Sequence, residues 1–318
     1  MKQKLLSLLA VVLVCGGLSA QMLDNASKLY YTISNIGSSS AMIVAPPVDG
    51  TAYSGNITIP QKVSYWDSNT KVTTDYPVQI IDDSAFFKAD ITSVTFAQGS
   101  QVKSIGSRAF AECTSLKSVA FAADGKLMII GDSAFAKCTS LTDTIALPEG
   151  VTAIRKGGFD GCETVSCVVL PSTLKKLEAR ALASLINLKS IVSKASTPPT
   201  CDATTFEATP IDIPVYVPCG SIGAYKEAEV WSSFTKIQCV PIATTDLAVA
   251  DGDDLRVACE QRRIIVDGAE GQCVCLYSAA GVAIACTSCA ASVETLVVPQ
   301  AGIYIVTVGN RAVKVAVQ

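Results

Sequence analysis

Four cysteines near the C-terminus, Cys273, Cys275, Cys286 and Cys289, are spaced as C-x-C…C-x-x-C. Two close thiolate pairs are what a tetrahedral zinc ion needs, so this is the plausible metal constellation of the chain. Cys273 and Cys275, however, fall two apart on a strand-like run, where side chains share a face without bridging each other. A disulfide across a hairpin, Cys275 to Cys286 for example, or plain burial suits them better than a metal. A second set, Cys113, Cys138 and Cys162, recurs at near-constant intervals. Metal or redox chemistry competes there with a column of compact buried hydrophobes, and the column is preferred.

The chain contains no histidine. Ser-His-Asp and Cys-His machinery and His-ligated metals are therefore excluded. The carboxylate groups Asp82/Asp83 and Asp251/Asp253/Asp254 lie in polar, turn-like settings, without the apolar pocket that raises a carboxyl pKa. The latter trio also lacks calcium-hand spacing, and no glycine-rich phosphate loop occurs. The sequence thus predicts no catalytic, cofactor-binding or metal residue and no enzymatic activity. With 25 basic and 28 acidic residues the formal charge is −3, so a nucleic-acid partner is not expected.

The elements that must carry these residues come from a repeat. Ala-Phe-Ala-x-Cys-Thr-Ser-Leu is written at 109–116 and again at 134–141. Anchored on the aromatic, the slot recurs at Phe86, Phe110, Phe135, Phe159, Leu182 and Phe206. Five residues earlier stand Ile81, Ile105, Ile130, Ile154, Leu177 and Cys201. Six later stand Leu116, Leu141, Val165 and Leu188, with Ile91 one residue early in the first repeat. Alternating pairs follow: Val94/Phe96, Val119/Phe121, Ile145/Leu147 and Val168/Leu170. A fixed period of this size marks a solenoid, in which each turn buries its apolar face only by stacking on the next. The alternation predicts a short strand per turn, and Gly106-Ser107 and Gly131-Asp132-Ser133 read as turns.

The strand residues pointing away from that core are the candidate binding face: Ser93, Thr95, Ser118, Ala120, Thr144, Ala146, Val169 and Val192, with Cys167 and Ser190 among them. They are small and weakly polar, giving a smooth shallow sheet suited to broad protein contacts. The competing reading is a bare scaffold face, with contacts made at loops or in residues 29–75.

Both ends differ from the repeats. Lys2 and Lys4 precede an apolar run from Leu5 to Val14 and small residues up to Ala20, the pattern of a secretory leader cut after Ala20. Lipidation at Cys15 is disfavoured, because Val14 stands where a small residue is wanted. The run is too short to span a bilayer, where ~20 apolar residues are needed. Beyond Pro241 the columns vanish. Short alternating runs separated by Gly and Asp predict a β-sandwich over 246–318, closed by a hairpin at Gly309-Asn310. In that register Tyr304, Val306 and Val308 share a face with Val313, Val315 and Val317. The division is a leader at 1–20, a capping segment at 21–75, repeats with a closing turn at 76–240, a linker at 241–245 and the sandwich at 246–318.

The unit "I-x-x-x-A-F-x-x-C-x-S-L-x-x-V-x-x-P" resembles the BspA-like leucine-rich repeats of surface proteins in Bacteroidetes and a few other microbes. "YSGNITIP" and "YPVQIIDDSAF" look like that family's opening segment, and "VYVPCGSIGAYKEAEVWSSFTKI" is similar to its closing turn. The Leu182 repeat departs, lacking both Phe and Cys. "CVCLYSAAGVAI" and "AGIYIVTVGNRAVKVAVQ" resemble the C-terminal sorting domain of type IX secretion, with Ser278 in place of its Asp and Val282 in place of its Arg. The resemblance implies a β-rich, right-handed leucine-rich-repeat superhelix followed by a small β-sandwich. It also implies a non-enzymatic exported protein at the outer-membrane surface or beyond it, adhering to host or bacterial surface proteins or to glycans. A structural spacer or envelope scaffold is the alternative. No membrane span is expected once the leader is removed.

Overall fold

The computed structural model describes residues 10–12, 21–36, 39–47, 52–67, 70–240, 256–260, 263–269, 272–278, 283–288, 293–298, 302–309 and 311–317. Most of the leader, the segment 241–255 and Cys289 lie outside them.

The N-terminal part opens with β1 (Ala10–Val12), β2 (Gln21–Asp24), β3 (Leu29–Ile36) and β4 (Ser39–Ala45), each antiparallel to the one before. With β4 the coiling begins. The chain crosses to β5 (Ser54–Ile59), makes a hairpin of β6 (Lys62–Asp67) and β7 (Val72–Ile81), and continues into β8 (Asp90–Phe96). From there each turn contributes one long and one short strand, all parallel to their neighbours.

The long strands are those the alternation predicts: β8, β10 (Ser118–Ala120), β12 (Asp143–Ala146), β14 (Val165–Leu170) and β16 (Ser190–Ser193). They form two parallel sheets, one of β5, β8 and β10 and one of β12, β14, β16, β18 (Pro214–Pro218) and β19 (Lys236–Val240). The short strands are two-residue pieces at the isoleucine column: β9 (Ser104–Ile105), β11 (Ile129–Ile130), β13 (Ala153–Ile154), β15 (Lys176–Leu177) and β17 (Thr200–Cys201). They continue the sheet begun by β4 and β7.

Between the long strands and the short-strand sheet runs the aromatic column. Phe86, Phe110, Phe135 and Phe159 are stacked with ring centroids 4.8, 4.9 and 5.0 Å apart, and all four are fully buried. Tyr53 closes the stack at 4.6 Å from Phe86, so β4 and β5 already flank an anchor of their own. Leu182 occupies its slot, its N–H donating to Thr205 O as Phe159 N–H donates to Ala181 O. At the far end Phe206 meets Trp231 and Phe234 edge-on, and α1 (Ile222–Glu227) lays Tyr225 over the core.

The anchor is held by backbone as well as by packing. The residues two before and two after it adopt a left-handed conformation, for example Arg108 and Glu112 around Phe110 and Gly157 and Gly161 around Phe159. Alternation of hand turns every second N–H toward the next coil: Arg108 to Asp132 O, Phe110 to Ala134 O, Glu112 to Ala136 O. Coils approach closely there, and a Cβ on Gly131 would lie 2.6 Å from Ile105 O. The turn clusters thus form a third hydrogen-bonded ladder.

The C-terminal tail is a sandwich of two antiparallel sheets. One holds β20 (Arg256–Glu260), β21 (Arg263–Asp267) and β24 (Val293–Val297). The other runs β23 (Ala283–Ser288), β22 (Cys273–Ser278), β25 (Gly302–Val308) and β26 (Arg311–Val317). Ile264, Val266 and Leu296 from the first sheet meet Val274, Leu276, Val306 and Val315 from the second in one core. The expected hairpin register is present, with Tyr304 opposite Val315, Val306 opposite Val313 and Gly309 at a positive φ of 58°. Asn310 lies outside the described residues.

Candidate functional site

The outward side of the long strands has two fates, one on the β5–β8–β10 sheet and one on the β12–β14–β16–β18–β19 sheet. At its N-terminal end the register places Asn56, Ser93 and Ser118 in one row and Thr58, Thr95 and Ala120 in the next. Thr58, Thr95, Ser118 and Ala120 are exposed and Ser93 is half-buried. Asn56 Oδ1 accepts from Thr92 Oγ1 at 2.7 Å and from Ser93 Oγ at 2.9 Å, tying β5 to β8 across the face. Asn56 and Thr58 escape the repeat count because their coil is set off by the β6–β7 hairpin. The alternation in "NITIP" was their available signal.

At the other end the tail sits on the face. Cys167 and Val169 on β14, Val192 on β16 and Tyr216 on β18 pack against Cys273, Cys275 and Tyr277 of β22, Cys286 of β23 and the half-buried Ile305 of β25. Val169 and Val192 are 1% and 2% exposed, although their side chains point away from the solenoid core. Thr144 is half-buried at the margin, its Oγ1 donating to the carbonyl of Cys286, and Ala146 beside it is exposed. Val192, Tyr216, Cys273 and Tyr277 line only a small gap between the two layers, so the contact is close-packed. Burial pushes the Tyr216 hydroxyl up to about 12 and raises Tyr277 further. Of the eight face residues singled out from the sequence, Ser93, Thr95, Ser118 and Ala120 are together in the open part, Val169 and Val192 are in the covered part, and Thr144 and the exposed Ala146 lie on β12 at the border.

Cys275 and Cys286 face each other across β22 and β23 and are joined by a disulfide. Among the described residues no group of three or more potential ligands could hold a metal. The other cysteine set is a column of buried free thiols. Each thiol donates to the anchor carbonyl of the coil before: Cys113 to Phe86 O at 2.9 Å, Cys138 to Phe110 O at 3.1 Å and Cys162 to Phe135 O at 3.1 Å. In the last repeat Thr209 Oγ1 does the same to Leu182 O at 2.8 Å, so the slot calls for a small donor. Burial pushes the Cys113 thiol up to about 12, which makes it inert as a nucleophile near neutrality.

The carboxylates act locally. Asp83 Oδ1 accepts from Ser107 N at 2.6 Å, bracing one coil on the next, while Asp251, Asp253 and Asp254 lie outside the described residues. On the coil edge formed by the left-handed turns a groove of about 570 Å³ is lined by Arg108, Glu112, Lys137, Asp160, Glu163 and Arg180 among others. Arg180 fills one end, holding Asp160 through Nε and Nη2 at 2.9 and 3.1 Å and reaching Glu207 through Nη1. The groove mixes charges of both signs on exposed side chains, with Asp160 paired to Arg180, the pattern of a solvated edge. Sequence reading missed it because the partners lie one repeat apart at turn positions.

Residues 79–210 match the family described as BspA type Leucine rich repeat region, in 6 copies. Residues 243–317 match a second family, Domain of unknown function (DUF6383). No curated protein matches the chain. Among solved structures it is similar to a leucine-rich repeat protein from Bacteroides ovatus, at 20% identity over 61% of this chain and 49% of that one, with a TM-score of 0.43. It is also similar to the T. pallidum Leucine Rich Repeat protein, at 18% identity over 64% of this chain and 90% of that one, with a TM-score of 0.38. A leucine rich cell surface protein from Faecalibacterium prausnitzii follows at 15% identity, 66% and 93% coverage and a TM-score of 0.30. The chain spans about half the length of the Bacteroides ovatus protein. The families matched are a repeat region and an unassigned domain, and no catalytic family is indicated. Among the described residues no helix is long and apolar enough to cross a membrane.

Proposed function

We propose that this is an exported, non-enzymatic binding protein that adheres to protein or glycan partners through the open part of its sheet face. The observation that carries this reading is the contrast on that face: its apolar end is capped by the tail, while Asn56, Thr58, Thr95, Ser118 and Ala120 stay accessible in a flat, weakly polar array. Hydroxyl and amide groups there can hydrogen-bond a sugar or an extended peptide without the desolvation cost of buried charge. The leader-like N-terminus supplies export, and loss of residues 1–20 would remove β1 and leave β2 as the sheet's edge. The tail, by its likeness to sorting domains, would direct the chain to the outer-membrane surface of a Bacteroidetes-type cell.

The test is binding of the full chain to arrays of surface proteins and glycans, alongside the Thr95→Arg/Ala120→Arg double variant. The reading expects a ligand retained by the native chain and lost by the variant. Binding that survives the variant would move the site elsewhere. No binding on any array, with the protein still found on intact cells, would favour the spacer role.

A further inference from the structure

The sulfur atoms at the junction of solenoid and tail are arranged in a row. Cys167 Sγ, on β14 of the solenoid, lies 3.7 Å from Cys273 Sγ on β22 of the tail, a pair separated by 106 residues in the chain. Cys273 Sγ in turn lies 3.6 Å from Cys275 Sγ, which is bonded to Cys286. Cys167 is 0% and Cys273 7% exposed, and both are free thiols. Ser190 Oγ, buried beside the pair, has no oxygen or nitrogen partner. Nothing in the repeat calls for this arrangement, since the structural thiols of the solenoid donate to backbone carbonyls and Cys167 instead faces another thiol.

We propose that Cys167 and Cys273 form a disulfide that fastens the tail to the solenoid, supplied by exchange from the Cys275–Cys286 bond. Cys273 is the attacking sulfur: the Cys167 thiol and Ser190 hydroxyl beside it hold its thiol below the usual 9.0, whereas Cys273 and burial raise Cys167. In the first step the Cys273 thiolate bonds to Cys275 Sγ, the Cys275–Cys286 bond breaks, and Cys286 leaves as a thiolate. The new bridge joins alternate residues of one strand and is too strained to persist. In the second the Cys167 thiolate bonds to Cys273 Sγ, the transient Cys273–Cys275 bond breaks, and Cys275 leaves. One disulfide is consumed and one formed, and the two protons released by Cys167 and Cys273 end on Cys275 and Cys286. A small-molecule disulfide then re-oxidises Cys275 and Cys286, being reduced itself to two thiols. Of the four sulfur-bearing residues Cys286 is the most exposed, at 9%, and oxidation enters there and passes along the row to Cys167. This inference is independent of what the open face binds.

The experiment incubates the native full chain with oxidised glutathione at mildly alkaline pH, blocks remaining thiols in denaturant and digests with trypsin without reduction. The expected result is a linked pair of peptides 157–175 and 264–311 that separates on reduction. The pair persists in Cys162→Ser, is lost in Cys167→Ser, and in Cys286→Ser forms at least ~10-fold more slowly because the donor bond is gone. Full blocking of both Cys167 and Cys273 after oxidation of the folded native chain would overturn the proposal. So would a link that survives Cys167→Ser. An unchanged rate in Cys286→Ser would overturn the exchange route.

Discussion

The two long-strand sheets, β5–β8–β10 and β12–β14–β16–β18–β19, share strand direction and inward packing, yet differ in what they turn outward. From β5 to β10 the outward residues are Asn56, Thr58, Ser93, Thr95, Ser118 and Ala120. From β14 to β18 they are Cys167, Val169, Ser190, Val192 and Tyr216. The solenoid core is indifferent to this change, because the same Val, Ile and Leu columns line the inside throughout. What changes is the second surface. Where the outward residues are apolar, a second layer must cover them, and the tail does. Burying a Val side chain contributes about 1.5–3 kcal/mol, so Val169, Val192 and Tyr216 together suffice to hold a small sandwich in place. Where they are hydroxyl-bearing, water serves as well as protein, and the sheet remains free to meet a partner. A repeat protein can thus divide its long-strand side between attachment and recognition by outward composition.

The largest expected effect is at the covered end. Val192→Asp places an unpaired carboxylate in a buried apolar contact and should cost roughly 3–5 kcal/mol of coupling, splitting a single calorimetric transition into separate ones for solenoid and tail. A single unchanged transition would mean that the contact is not what joins them. Alkaline pH attacks the same end by ionisation. Tyr216 titrates at about 12 in the fold against an ordinary 10.0, so the interface holds it neutral. Its contribution is complete below pH 10 and is lost as pH rises toward 12, because only the released residue then gives up its proton. Tyr216→Phe should flatten that loss in thermal melts across the range, while the open residues carry no titrating group and should be silent. Thr144→Val removes the hydroxyl bond to Cys286 O at the border and should cost about 1 kcal/mol by urea denaturation. Smallest of all, Ser118→Arg at the open end should change stability by less than about 0.5 kcal/mol. A large destabilisation there would show that the open part is covered after all.

The interior was legible from the sequence because a column of equivalent side chains writes itself once per turn. Phe86, Phe110, Phe135 and Phe159 declared the stack, and the Gly309-Asn310 pair declared the last hairpin register. The disulfide was readable as a hairpin pairing of Cys275 with Cys286. Tyr53 was not, since the β6–β7 hairpin lengthens its distance to Phe86 and breaks the period. The short strands at the isoleucine column are only two residues long and carry no alternation of their own. The docking of the tail was hidden for a deeper reason. Cys167 and Cys273 meet through packing of two separately folded sheets, and no local pattern in either names the other. The outward shift from Ser and Thr to Val and Tyr was visible, but its meaning depends on the partner layer.

The division of the face is tested most directly by hydroxyl-radical footprinting of the native full chain, read residue by residue. Trp66, 45% exposed on the hairpin, should be labelled readily, while Tyr216 and Tyr277, each 8% exposed at the junction, should stay protected until the protein unfolds. Labelling of both tyrosines at rates comparable to Trp66 under native conditions would contradict the account.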